Sequence, residues 1–192
     1  ELYGLRLAQA LDPARFEVTV LALWTHFLPI ERHYAAELHE RGIPLRVCIP
    51  FHGSLRGDTI HGLVGALPHI HALRPHILHT HTEFCDLIGL ALRRTAPVGA
   101  LVRTAHNMKE WRGLDIWRRR TETLYPLLCD VEVGVSRAVV ELLDARPAAR
   151  LLRRRARYIP GAISAERTVA LRSAGAVRDA LGIPHDAPLF GA

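Results

Sequence analysis

The stretch Pro97–Glu110, PVGALVRTAHNMKE, carries the chain's closest grouping of side chains suited to chemistry. Val98-Gly-Ala-Leu-Val102 is an apolar run of strand length, and it breaks into Arg103-Thr-Ala-His-Asn-Met-Lys-Glu110. In an open α/β sheet, ligands lie beyond the carboxyl ends of parallel strands. A strand ending in Thr104, His106, Asn107 and Lys109 therefore sets a hydroxyl, a base, an amide and a cation where a ligand would sit. An imidazole at such a point accepts a proton, or donates a hydrogen bond to a hydroxyl or phosphate, near neutral pH. His106 is the expected catalytic group. Asn107 offers an amide for ligand binding, and Lys109 a point charge suited to phosphate. The competing reading is an exposed polar loop.

A second grouping runs His76-Ile-Leu-His79-Thr-His81-Thr-Glu83. Strand alternation puts His79 and His81 on one face, with Glu83 following at the strand end. A sheet-end cluster that hydrogen-bonds a polar ligand suits His81 and Glu83, and His79 reads equally as a satisfied core histidine. The spacing supplies no convincing third metal ligand, so no metal site is expected. Ser136 follows the run Asp130-Val-Glu-Val-Gly-Val135 and heads a helix. Capping accounts for it at about 1 kcal/mol, and a ligand at the same helix N-terminus is the functional alternative. Neither a Ser-His-Asp elbow, a Walker loop nor a GxGxxG turn is present, which removes the strongest support for hydrolase, nucleoside-triphosphate and dinucleotide chemistry.

The elements that must position these groups alternate along the chain. Apolar, β-branched runs predict strands at Phe16–Leu23, Pro44–Ile49, His76–His81, Val98–Thr104, Val131–Val135 and Arg157–Ile159. Helical periodicity is expected over Glu1–Leu11, Glu31–Arg41, Asp58–Leu73, Phe84–Arg94, Leu114–Leu128, Ser136–Leu143 and Val177–Gly182. Gly42 and Arg74-Pro75 are helix stops. Such alternation predicts an α/β, Rossmann-like, doubly wound parallel sheet with right-handed crossovers and helices on both faces. Residues 1–160 read as that domain. Residues 161–192 read as a linker, Ser164–Ala176, followed by the start of a further domain whose first strand begins at Pro188.

Composition narrows the class. Of 192 residues, 49% are hydrophobic and 23% charged, ordinary globular usage. No run of about eighteen apolar residues could span a bilayer, and the first residues lack a signal-peptide pattern. Cys48, Cys85 and Cys129 are far apart in apolar contexts and read as free buried thiols of a reducing compartment. The chain is accordingly expected in the cytoplasm. Its net charge is +6, with arginines clustered at Arg118–Arg120 and at Arg153–Arg155 with Arg157. These clusters are either solvated helix faces or a peripheral contact with an anionic membrane. No aromatic residues interleave with them, so nucleic acid is not expected as a partner.

In this order the segments resemble the N-terminal domain of the family 4 retaining glycosyltransferases, enzymes of the two-domain GT-B fold. Glu1-Leu-Tyr-Gly-Leu-Arg-Leu-Ala-Gln-Ala-Leu11 is similar to the helix after the family's GGxE turn. His76-Ile-Leu-His79-Thr-His81 resembles its D-(I/V)-(I/V)-H-x-H strand, and Leu101-Val-Arg-Thr-Ala-His106-Asn107 its T-x-H strand end. Cys129-Asp-Val-Glu-Val-Gly-Val-Ser136-Arg-Ala-Val139 resembles A-D-x-(I/V)-x-x-x-S-x-x. Tyr158-Ile-Pro-Gly-Ala-Ile-Ser164 stands where the family has I-P-N-G-(I/V)-D. The resemblance implies transfer of a sugar from a UDP- or GDP-linked donor to a glycan, lipid or small-molecule acceptor, with retention and without a metal or other cofactor. It implies that His106 lines the reaction centre, and that His81, Glu83, Asn107 and Lys109 border the acceptor pocket.

The departures shape the remaining expectations. The Gly-Gly turn before Glu1 is not in the sequence, Gly161-Ala162 replaces Asn-Gly, and Ser164 replaces the Asp. The family's donor-binding segment is also not in the sequence. The chain therefore reads as a domain whose sheet lacks its first strand, leaving an open edge that invites pairing. Transfer is expected to need a C-terminal domain, in cis or from a partner chain. The alternatives are a noncatalytic Rossmann-like binding protein derived from such an enzyme, and another GT-B enzyme such as a sugar-nucleotide 2-epimerase.

Overall fold

The structure is a computed structural model describing residues 2–108, 115–161 and 174–188. The chain divides into two compact units, Glu1–Pro160 and Gly161–Ala192. The first begins with α1 (Leu2–Ala10), β1 (Val20–Thr25), α2 (Pro29–Glu40), β2 (Leu45–Pro50) and α3 (Leu55–Leu73). It continues with β3 (Ile77–Thr80), α4 (Glu83–Thr95), β4 (Ala100–Ala105), α5 (Asp115–Leu128) and β5 (Val131–Gly134), then α6 (Arg137–Ala145), α7 (Pro147–Leu151) and β6 (Arg157–Tyr158). Every strand pairing is parallel. The fold is the expected Rossmann-like α/β arrangement. It differs in that the strands form two ladders, β1-β2 and β3-β4-β5-β6. Among the described residues no ladder joins β1 to β3, and side chains bridge them instead. Leu23 of β1 packs with Ala66 and Ile70 of α3 and with Ile88 and Leu92 of α4, with Leu78 of β3 at the margin.

Strand parity sorts the helices to the two faces. Leu78 and Thr80 of β3 face α4: Leu78 packs beside Leu90, and a Cβ on Gly89 would stand 2.9 Å from Thr80 Cγ2. His79 and His81 face the other way, where a Cβ on Gly4 of α1 would meet the His81 ring at 2.9 Å. Leu101 of β4 packs with Tyr125 of α5 and with Cys129 just after it, and Ala105 with Val139 and Leu143 of α6. α1 and α2 are linked by an Arg6–Glu37 ion pair. This is the doubly wound pattern that right-handed crossovers impose on a parallel sheet.

Local chemistry explains where the elements begin and end. β1 starts at Val20, four residues later than expected, because Asp12–Phe16 closes a turn. Asp12 Oδ1 accepts from the Ala14 amide at 2.9 Å, and its carbonyl from Arg15 and Phe16 at 3.0 and 2.9 Å. α2 starts at Pro29, whose missing N–H costs nothing in the first turn. It ends, as read, at Gly42, which adopts φ +68°. α3 starts three residues early, capped by Ser54 Oγ, which accepts from the Gly57 amide at 3.2 Å. α7 was not expected. Pro147 looks like a break, yet it occupies the first turn, where proline is tolerated. At Gly99 a Cβ would stand 2.5 Å from the His76 carbonyl oxygen, so only glycine lets β4 lie this close to β3.

In the second unit, α8 (Ala174–Leu181) ends at Gly182, φ +66°. Arg178 Nη1 donates to the carbonyls of Pro184 and Ala187 at 2.7 and 2.9 Å. α8 overlaps the helix expected at Val177–Gly182, stopping one residue short of Gly182, and starts within the expected linker. The rest of that linker and the strand start after Pro188 lie outside the described residues. The three cysteines are free, and burial pushes the Cys48 thiol up to about 11. Among the described residues no helix is long and apolar enough to cross a membrane.

The core of β4 holds a charge. Arg103 is 0% exposed. Its Nε donates to Asp86 Oδ2 and its Nη1 to Glu132 Oε1, both at 2.9 Å. The guanidinium lies 3.8 Å from the Tyr125 ring centre. Arg146 pairs with Glu132 in turn and donates from Nε to the Leu143 carbonyl at 2.8 Å. Removing one member of a buried pair strands the other's charge, at a cost of about 3–5 kcal/mol. Arg103→Met is expected to lose that much stability in urea unfolding, and a loss under about 1 kcal/mol would show that the network does not hold the sheet.

Candidate functional site

The chain leaves β3 through His81 and β4 through His106, and the first turn of α4 starts between them. A cleft of about 170 Å³ opens there, lined by Tyr3, His81, Thr82, Glu83, Asp86, Thr104, His106 and Asn107. It lies beyond the carboxyl ends of two parallel strands, where α/β folds hold ligands. Five of the residues expected from sequence meet in it: His81, Glu83, Thr104, His106 and Asn107. Lys109 lies outside the described residues. Ser136 is elsewhere: its Oγ accepts from the Val139 amide at 3.2 Å and caps α6, and it does not line the cleft.

Two imidazoles, His81 and His106, line the cleft, and His79 packs behind His81. The His79 and His81 ring centres are 4.3 Å apart, as alternation along β3 requires, and His81 and His106 are 5.8 Å apart. Tyr3 closes the side, 5.7 Å from His81 and edge-on to His106 at 5.0 Å. His79 Nε2 and Thr104 Oγ1 share a hydrogen bond of 2.8 Å across the β3–β4 ladder. His79 is thus a satisfied core histidine, and through Thr104 it holds the strand that ends in His106. His81 Nδ1 is buried with no protein partner, a polar atom beside the cleft that still has a hydrogen bond to make.

Electrostatics keeps these rings neutral. Burial lowers His79 to about 4, with His106 adding to the effect. Burial lowers His81 to about 3, helped by His79 and His106. His106 is also lowered by burial, and the Glu83 carboxylate opposes the shift. At neutral pH the cleft therefore presents uncharged imidazoles, each with a donor and an acceptor nitrogen. Beside them stand the Asn107 amide, the Thr104 hydroxyl and the carboxylates of Glu83 and Asp86. Among the described lining residues none is cationic. Such a set can hydrogen-bond several hydroxyls at once, and His106 can act as a base without first losing a proton.

Sequence reasoning missed Tyr3, Thr82 and Asp86. Thr82 is the N-cap residue of α4, and a Thr next to an acidic residue at a helix start was the signal available. For Asp86 the signal was an acidic residue within an otherwise apolar helix. Tyr3 left none, because only the packing of α1 brings it here.

The lowered values set the pH dependence of folding. Below the ordinary 6.5 the unfolded chain takes up protons that folded His79 and His81 refuse. Their stabilisation is complete above about pH 6.5 and is lost as the pH falls toward 4. The urea midpoint is expected to fall steadily from pH 7 to pH 5. The ring resonances of His79 and His81 should stay flat over that range, and midpoints near 6.5 for both would contradict the burial described here.

The family model of Glycosyltransferase Family 4 matches residues 1–167, from α1 through β6 and past the end of the first unit. No curated protein matches the chain. With the model covering every strand of the sheet and every residue of the cleft, the chain belongs to glycosyltransferase family 4.

Proposed function

We propose that the first unit is the acceptor-side domain of an enzyme that moves a sugar from a UDP- or GDP-linked donor to an acceptor hydroxyl with retention. The observation that carries this reading is the lining of the cleft. Neutral imidazoles, an amide, a hydroxyl and carboxylates suit a hydroxyl-rich acceptor, whereas a diphosphate calls for cations or a row of backbone amides. Size points the same way. At about 170 Å³ the cleft is smaller than the roughly 300–1,000 Å³ pockets that enclose whole drug-sized ligands. On this reading it holds one end of the acceptor and forms one wall of the reaction centre. The nucleotide is then held by a donor-binding domain, in cis or from a partner chain, and transfer by the first unit alone is not expected.

The roles follow from position. Acceptor hydroxyls bond to His81, Glu83 and Asn107; Lys109, the cation expected to join them, lies outside the described residues. Thr104 holds its place through His79. His106, in the lining of the cleft, bonds to the reacting hydroxyl or to a hydroxyl of the donor sugar. The acceptor oxygen forms the new bond to the anomeric carbon, the bond from that carbon to the nucleotide breaks, the nucleoside diphosphate departs, and the acceptor hydroxyl's proton passes to His106 or to the departing phosphate oxygen. In the enzyme complete with its donor domain, His106→Ala is expected to cut transfer by about two orders of magnitude or more while leaving the unfolding curve in place. Unchanged transfer would remove His106 from the mechanism.

The arginines extend the proposal to location. Arg153, Arg154, Arg155 and Arg157 are exposed, and of them Arg155 pairs with Asp144 at 3.2 Å. With the exposed Arg120 they offer a peripheral contact to the anionic inner face of a membrane, where lipid-linked acceptors reside; the side chains of Arg118 and Arg119, expected to join them, lie outside those described. Binding to vesicles containing phosphatidylserine should exceed binding to neutral vesicles and weaken with salt. Equal sedimentation with both kinds would remove the membrane from the proposal.

A further inference from the structure

Away from the cleft, beyond the carboxyl end of β2, three metal-ligating side chains converge. His52 lies in the loop after β2, Asp58 in the first turn of α3, and His61 one turn further along that helix. Gly53, at φ +93°, turns the chain so that His52 folds back over the helix start. The i, i+3 spacing puts Asp58 and His61 on the same helix face. One donor atom from each residue lies within 4.8 Å of the other two. The two imidazole centres are 6.2 Å apart. With metal–nitrogen bonds of about 2.0–2.1 Å, two imidazoles on a tetrahedral ion would stand on the order of 5 Å apart, so a small rotation of exposed rings closes the difference.

The carboxylate is prepared for the task. Asp58 is 1% exposed, and its Oδ2 accepts from the backbone amides of His52 and Ser54 at 3.1 and 3.0 Å. Its Oδ1 stands 2.9 Å from His52 Nδ1. The anion is therefore fixed in place, and the two imidazoles beside it are open to solvent. Two imidazoles and one carboxylate, with coordination positions left for water, make a donor set for first-row transition cations rather than for Mg²⁺ or Ca²⁺.

We propose that His52, Asp58 and His61 bind a divalent transition cation of the Zn²⁺ class. The ion displaces the proton shared between His52 and Asp58 and clasps the β2–α3 loop to the first turns of α3. It lies apart from the cleft of His81 and His106 and takes no part in sugar transfer.

The test titrates the chelator-treated full chain with Co²⁺, read by visible ligand-field absorption, and then displaces Co²⁺ with Zn²⁺. The wild type is expected to saturate at a single ion per chain, with Zn²⁺ bleaching the bands. His61→Ala and His52→Ala should each weaken binding by at least about tenfold. Both residues are exposed, so circular dichroism should show the folded chain in each. His71→Ala, at an exposed histidine two turns or more from the cluster, should bind as the wild type does. No ligand-field bands in the wild type, or equal affinity in wild type and His61→Ala, would overturn the proposal. So would a loss in His71→Ala as large as that in His61→Ala.

Discussion

Arg103 is the constraint on which the first unit depends. A guanidinium cannot shed its charge inside a protein, so burying it forces the surroundings to supply anions and a polarisable face. Asp86 comes from α4, Glu132 from β5 and the aromatic face of Tyr125 from α5. One side chain thus ties the central strand to its neighbour and to the two helices that cover it. Arg146 brings α6 into the same network through Glu132. Apolar residues of similar volume could match its stability, since pairing roughly offsets desolvation. What the ionic version adds is register. A slip of β4 by one residue would turn Arg103 out of its pair and bury nothing that could replace it.

That register also decides what stands in the cleft. His106 follows Arg103 by three residues, and Thr104 is its immediate neighbour on the opposite face of the sheet. With Arg103 locked into the helical layer, Thr104 must point toward His79, and the chain must leave the sheet with His106 at its edge. β3 obeys the same rule. Thr80 faces α4 and donates to the Val102 carbonyl at 3.4 Å, so His79 and His81 face α1 together. Asp86 belongs to both layers, as partner of Arg103 and as part of the cleft wall. Packing and site are therefore two faces of the same two strands.

Much of this was legible from residue order. Alternating apolar runs and helical periods gave the α/β class, and strand parity placed His79 and His81 together. Glycine at a helix end marked the stop at Gly42, and Ser136 announced a cap. The resemblance supplied the family. What remained hidden depends on contacts between elements distant in sequence. Arg103 looked like the start of a polar loop, because its partners lie 17 and 29 residues away. Tyr3 reaches the cleft only because α1 packs against β3 through Gly4. His52, Asp58 and His61 were ordinary loop and helix residues until Gly53 folded the loop over α3. The division of the sheet into two ladders was likewise invisible, since periodicity specifies strands but not which edges pair.

Burial of the histidines carries the last step. Three imidazoles side by side would repel one another if charged, and desolvation would add to the cost. The fold resolves both problems by keeping them neutral. A neutral cluster gives up attraction for anions and gains paired donors and acceptors at fixed positions. The start of α4 supplies partial positive charge at the cleft, and Glu83 and Asp86 in its first turn largely balance it. Recognition at this wall therefore rests on the geometry of hydrogen bonds rather than on net charge. On the proposed function, that division of labour suits a domain that selects an acceptor and leaves the charged part of the donor to groups elsewhere.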